Sequence, residues 1–316
     1  MRLLCLFLLF GLASAHAQTY PTKPVRVIVA FSPGGVTDII ARTVAPKLAE
    51  MWGQPVLVEN RTGAGGTLGA VVVARAPADG SVLLVHSSGY AINAAIQPSL
   101  PYDPRKDFID VAHLGAQPQV LVVNPASPYK SVPALIAAAK AKPGDLTYGS
   151  AGIGSGAHFN AELFRIAAGI EVLHIPYKGG VDAINDTAAG RLTFTFNTLT
   201  LALPFIRDGR VTALGVSSAK RTSLLAEVPT IAESGVPGFE YTFWNGLWAP
   251  AGTPAAIAEK ISRDVGQAMS APDVRERYAR LGAEPVTMTP GEFARFVRSE
   301  IENAERVARI SGIKAQ

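Results

Sequence analysis

Cysteine is nearly absent: the chain has one in 316 residues, Cys5, inside an apolar stretch at its start. Disulfide frameworks, zinc–thiolate sites and cysteine nucleophiles are therefore excluded downstream, and a chain free of thiols suits an oxidising compartment. Histidine is scarce too, and His86, His113, His158 and His174 include no closely spaced pair of the kind that ligates metal. After the N-terminus no apolar run is long enough to span a bilayer. Basic residues do not cluster with aromatics, which removes the footprint of a nucleic-acid binder. There is no Gly-x-Ser-x-Gly elbow and no phosphate loop ending in Gly-Lys-Ser/Thr. Ser155 and His158 could meet across one helical turn, but no acid is placed to complete a triad.

The start of the chain reads as an export signal. Arg2 supplies positive charge, Leu3 to Leu12 form the apolar core, and Ala15-His16-Ala17 ends it, so residues 1–17 are expected to be cleaved after Ala17. An apolar core of about ten residues is too short for a membrane anchor. The remaining ~300 residues exceed a single ordinary core and suggest two lobes. The formal charge of +4 drops by one when Arg2 leaves, and this slight positive excess suits an anionic small ligand.

Short apolar runs alternate with helical periods. Val25 to Phe31, Pro55 to Glu59 and Ser81 to His86 read as strands, with helices over Asp38 to Met51 and Leu68 to Ala76. A second set starts near Val120-Leu121-Val122-Val123 and continues with helices at Val132 to Lys142, His158 to Ala168 and Val181 to Ala189. Strands at Thr147-Tyr148, Val172 to Ile175, Leu192 to Phe196 and Thr212 to Val216 intervene. Phe243 to Ala249 is an aromatic strand, and amphipathic helices fill 254–270, 272–281 and 290–311. This alternation predicts an α/β fold with mainly parallel sheets flanked by helices.

Three glycine-rich loops each follow a strand and open a helix: Ser32 to Asp38, Asn60 to Thr67, and Tyr148 to His158. Helix starts offer unpaired N–H groups and the positive end of the dipole, which makes them anion sites. In the first loop Gly34 and Gly35 let a ligand approach the backbone, Thr37 adds a hydroxyl and Asp38 can cap the helix. The third carries Ser150, Gly152, Gly154, Ser155 and His158. Taken singly, each loop is equally an ordinary tight turn that needs glycine. The first and third occupy corresponding places in the two proposed lobes, so one ligand held between lobes accounts for both. Gly152-x-Gly154-x-x-Ala157 imitates a dinucleotide fingerprint, but the following strand ends in Pro176-Tyr177-Lys178 without the required acid.

FSPGGVTD, VENRTGAGG, LPYDPRKDF, YGSAGIGSGAH, HIPYKGG, SSAKR, VPTIAESGVPGFE and LGAEPV follow in this order through residues 20–316. Together they closely resemble the Bug family, the periplasmic solute receptors of tripartite tricarboxylate transporters. The resemblance implies a type II-like, Venus-flytrap binding-protein fold. Lobe 1 is expected from residues 18–123 and 244–316, lobe 2 from 124–243, and hinge strands near 119–124 and 241–247. It further implies two pincers that hold one carboxylate through main-chain N–H groups: Pro33, Gly34, Gly35 and Asp38 in one lobe, Gly152, Gly154, Ser155 and His158 in the other. The far part of the ligand would be read at Ser87 to Tyr90, Gly89 included, around Tyr177, Lys178 and Gly179, and around Asn197. Where family members frequently carry Phe-Asp-Asn, this chain has Phe196-Asn197-Thr198. Loss of that acid disfavours an amino group and favours a dicarboxylate or aromatic carboxylate.

The role implied is a monomeric periplasmic receptor, without a cofactor, that hands a small organic carboxylate to integral membrane transporter subunits. A sensor that signals to a membrane receptor would present the same pocket, and an exported carboxylate enzyme would need a base for which His158 is the candidate. Gly34→Val is expected to fill the place of the carboxylate.

Overall fold

The computed structural model describes residues 20–97 and 99–311; the expected export signal lies outside them. Among the described residues the chain forms two lobes, each a twisted sheet with helices on both faces.

In the first lobe β1 (Val25–Val29), α1 (Val36–Trp52), β2 (Val56–Asn60), α2 (Thr67–Ala74), β3 (Val82–Ser87) and α3 (Gly89–Ile96) follow one another. Strand β1 lies between β2 and β3, parallel to both. The pleat sends successive side chains to opposite faces. Val25, Val27 and Val29 accordingly enter one core with Ile40, Val44 and Leu48 of α1. Ile28 and Ala30 enter the opposite core with Ala70 and Val73 of α2. Helix α1 stops at Gly53, whose left-handed conformation (φ 61°) lets its N–H reach the Ala49 carbonyl.

The second lobe repeats the scheme with α4 (Val132–Ala141), β5 (Thr147–Ser150), α5 (Gly156–Ala168), β6 (Leu173–Pro176), α6 (Gly180–Ala188), β7 (Phe194–Thr198), α7 (Leu199–Arg207) and β8 (Thr212–Val216). Here β5 lies between β6 and β7, again parallel to both. The lobes are joined by β4 (Phe108–Val123), which runs through both sheets. From Phe108 to Pro118 it pairs antiparallel with β9 (Thr242–Pro250); from Gln119 onward it pairs with β7 and β8. Its Val120 and Val122 then face one core of the second lobe, Leu121 and Val123 the other. After β9 the chain closes the first lobe with α8 (Ala255–Ser270), α9 (Pro272–Leu281) and α10 (Pro290–Ser311).

Three stretches differ from the sequence reading. Helices α3 and α7 and the first half of β4 carried no recognised pattern. Strand β4 has register shifts between Asp110 and Ala112 and between His113 and Gly115, which break the alternation that marks a strand. Helix α7 spans only nine residues and contains Pro204, a residue that ordinarily interrupts a helix.

Candidate ligand-binding site

In each lobe the parallel strands end on the same side, and each feeds a helix there: β1 into α1 and β3 into α3 on one side, β5, β6 and β7 into α5, α6 and α7 on the other. A ligand of an open α/β sheet binds outside the carboxyl ends of its strands. Here the two sets of ends face each other across one cleft holding about 450 Å³ of non-atom space.

The loops that open α1 and α5 are near copies of one another. Gly34 (φ 74°) and Gly154 (φ 79°) are both left-handed. The next residues, Gly35 and Ser155, are N-caps with nearly identical dihedrals, φ −72°, ψ 162° and φ −73°, ψ 157°. Gly35 donates its N–H to the Ser32 carbonyl at 3.1 Å, and Ser155 donates to the Gly152 carbonyl at 3.1 Å. Gly34 N–H donates to Asp38 Oδ2 at 3.0 Å, and Gly154 N–H donates to His158 Nδ1 at 3.3 Å. Asp38 and His158 thus do the same work: each is buried one turn into its helix and holds the positive-φ glycine that precedes it. Asn60 fixes Asp38 in turn, donating from Nδ2 to Oδ1 at 2.9 Å and to the Phe31 carbonyl at 2.9 Å.

Of the residues singled out in the sequence, Gly35, Thr37, Ser87, Ser155, Gly179 and Asn197 line the cleft. Val36 joins Thr37 on the first turn of α1, and Gly156 joins Ala157 on that of α5. Asp38 and His158 sit behind the lining as supports. Pro33 and Gly34 are exposed at the rim. A β-carbon at Gly34 would meet no protein atom within 4 Å, while its φ of 74° strains any other residue there. Ser150, fully buried, ties the base of the third loop by accepting from Gly152 N–H at 3.1 Å and meeting His174 Nε2 at 2.7 Å. Tyr177 turns to Asp186, donating to Oδ2 at 2.6 Å, and Lys178 is exposed outside the lining.

Gly89, Gly152 and Gly154 lie where the lobes touch. A β-carbon at Gly89 would stand 2.9 Å from the Gly154 carbonyl, one at Gly154 would stand 1.8 Å from Asn93 Oδ1, and one at Gly152 would stand 3.3 Å from Gly65 N. The second glycine loop takes part in this contact instead of lining the cleft: a β-carbon at Gly65 would come within 2.0 Å of the Ile153 carbonyl oxygen. Gln119, Thr198, Leu201 and Phe243 line the cleft, although the sequence had singled out none of them for a site. Thr198 caps a helix as Gly35 and Ser155 do, but that helix, α7, carried no recognised pattern, so nothing in the sequence marked Thr198.

No lining residue carries a charged side chain. Burial pushes the His158 imidazole down to about 4, which keeps Nδ1 free to accept from Gly154 N–H at neutral pH. His174, with its ring centroid 4.4 Å from that of His158, is pushed down to about 3 by burial and then by its neighbour. What the cleft presents to a ligand is main-chain N–H, hydroxyl and amide groups against apolar walls from Phe31, Val36, Leu201 and Phe243. That is chemistry for holding an anion by fixed dipoles.

The family model described as the tripartite tricarboxylate transporter family receptor matches residues 40–313. The chain is 38% identical over 304 residues to Protein BugT of Bordetella pertussis, covering 96% of this chain and 93% of the relative. It is 39% identical over 299 residues to the "UPF0065 protein in tcbD-tcbE intergenic region" of a Pseudomonas species, covering 93% of this chain and 89% of the relative. Among solved structures it is similar to Rpa4515 of R. palustris with adipate, at TM-score 0.90, 36% identity and coverage of 93% and 99% of the two chains. MatC from Rhodopseudomonas palustris with bound malate gives TM-score 0.87, 34% identity and coverage of 91% and 99%. The periplasmic binding protein BugD gives TM-score 0.90 at 31% identity, with coverage of 94% and 100%. These are two-lobed solute-binding proteins and not enzymes, and the chain belongs to their family, the tripartite tricarboxylate transporter receptors.

Proposed function

We propose that the mature protein is a periplasmic, monomeric receptor that captures a small carboxylate, dicarboxylate or aromatic, between its lobes and delivers it to the integral membrane subunits of a tripartite tricarboxylate transporter. One observation carries this reading: the matched first turns of α1 and α5 open onto one cleft whose lining has no charged side chain. Each first turn has N–H groups without an intrahelical acceptor, so a carboxylate between them satisfies both and is held without a counter-ion. Gly35 and Thr37 on one side and Ser155 on the other would border it, with Gly34, Asp38, Gly154 and His158 holding the loops in place. The bound adipate and malate of the two R. palustris neighbours support a dicarboxylate.

Closing the lobes is the motion that commits the ligand. Strands β4 and β9, the adjacent connections between lobes, would carry the hinge near 119–124 and 241–247, between a first lobe of 18–123 and 244–316 and a second of 124–243. A thermal-shift panel of mono-, di- and aromatic carboxylates and amino acids on the mature protein tests the reading. A cognate acid at a hundred times its Kd adds about 2.7 kcal/mol of apparent stability, and a panel in which no carboxylate raises the midpoint overturns it.

A further inference from the structure

We infer that the protein has a second small-molecule site, a cavity on the face of β9 opposite the cleft, and that it takes an organic cation: a primary ammonium carried on an apolar body. The site is separate from the cleft and holds whether or not the cleft takes a carboxylate.

The pleat of β9 sets the two spaces back to back. Phe243 lines the cleft, while Thr242 and Trp244 on either side of it line this cavity. Ser87 and Ser88 divide in the same way after β3. Helices α3 and α10 of the first lobe wall the cavity, and Phe159 and Leu163 of α5 close it from the second. It holds about 1,090 Å³ of non-atom space, more than twice that of the cleft. Enclosure by three helices and by β4 and β9 suits a small molecule and not a segment of another chain.

Its charge is of one sign. Two carboxylates line it, exposed Glu240 and half-buried Glu300, and no lysine or arginine does. Glu300 Oε2 accepts from Trp244 Nε1 at 2.8 Å, which leaves the other oxygen for a ligand. Burial raises the Glu300 carboxyl, as desolvation does to a charge without a counter-ion. His113 accepts from Gly115 N–H at 2.9 Å through Nδ1 and is pushed down to about 4 by burial, so it adds no positive charge at neutral pH. Arg306, farther along α10, is turned to Asn303 Oδ1 at 2.7 Å and stays outside the lining. The hydroxyls of Ser88 and Tyr241 lie 2.8 Å apart and satisfy each other. Most of the remaining wall is apolar, with the rings of Trp244, Phe296 and Phe159. An ammonium is attracted both to a carboxylate and to ring faces, while its apolar body gains from burial. An anion would meet two like charges, and a neutral molecule would leave Glu300 uncompensated.

The test is calorimetric titration of the mature protein and its E300Q and L163W variants with 2-phenylethylammonium and with 2-phenylethanol, its neutral counterpart. Wild type should prefer the ammonium. Glu300→Gln keeps an acceptor for Trp244 and removes the charge, so it should weaken the ammonium about tenfold, as for one lost hydrogen bond to a charged group, and leave the alcohol unchanged. Leu163→Trp narrows the cavity from the second lobe and should weaken both compounds; E300Q decides the matter alone if L163W does not fold. A wild type that binds neither compound, or both equally, overturns the site. So does an E300Q variant that keeps the wild-type preference, because the cation is then held elsewhere.

Discussion

At the scale of single residues, the cleft depends on glycines for two separate reasons. Gly34 and Gly154 supply a positive φ that turns the chain into a helix, and Asp38 and His158 hold them there. Gly65 supplies room: only without a β-carbon can it lie against Ile153 of the other lobe. Gly65→Ala should therefore act on closure. Both Gly65 (φ 62°) and the surface glycine Gly144 (φ 80°) are left-handed, but a β-carbon at Gly144 meets nothing within 4 Å. Each alanine variant should lose about 1–2 kcal/mol of stability from backbone strain. G65A alone should also weaken carboxylate binding, by about tenfold or more, because the lobes can no longer reach the closed contact. Chemical denaturation and calorimetry on the two variants check this, and equal affinities would show that Gly65 has no part in closure.

At the scale of elements, what was legible depended on how cleanly an element alternates or repeats. The βα units of both lobes could be read because β1 and α1 bury regular faces. Helix α7 and the first half of β4 could not, because α7 is short and contains Pro204, and because Gly115 and the bulges break the alternation of β4. Thr198 went unread for a site with them, since its role depends on α7 starting there. At the crossing between lobes one small side chain that no local pattern marks reinforces the main-chain bonds from Ser217 N–H to the Gln119 carbonyl and from Tyr241 N–H to the Ser217 carbonyl. Ser217, fully buried, accepts from Gln119 N–H at 2.8 Å and donates to the Tyr241 carbonyl at 2.7 Å, which ties β4 to the segment entering β9. Ser217→Ala leaves that N–H and that carbonyl without their partner, so it should destabilise by about 1–3 kcal/mol. Hydrogen exchange should accelerate across 117–121 while β1 stays protected, and unchanged exchange at Gln119 would remove Ser217 from the hinge.

At the scale of the whole molecule, burial makes the histidines an acid liability. His86, His113 and His158 are each pushed down to about 4 and His174 to about 3, in every case first by desolvation. From their ordinary value of 6.5 downward the unfolded chain takes up protons that the folded chain refuses. Stability from these groups is therefore complete above about 6.5 and is lost as pH falls toward 4. Asp110 and Glu300, raised by burial, act in the opposite sense, since the folded chain keeps their protons to higher pH. Four histidines against two carboxyls should leave a net loss. The melting midpoint should drop on the order of 10 °C between pH 7 and pH 4.5. Scanning calorimetry across that range checks it, and the slope should flatten in His174→Gln.

The sequence by itself determined the α/β alternation, the two-lobe scale, the absence of thiol chemistry and the glycine-rich helix starts. All of these follow from short-range periodicity and from φ angles that few residues other than glycine adopt. Only the tertiary structure decided which helix starts share a cleft, that the second glycine loop meets the other lobe, and that Gln119 and Thr198 stand side by side. Those relations join residues far apart in the chain through the register of β4 in two sheets, and no local pattern encodes that register.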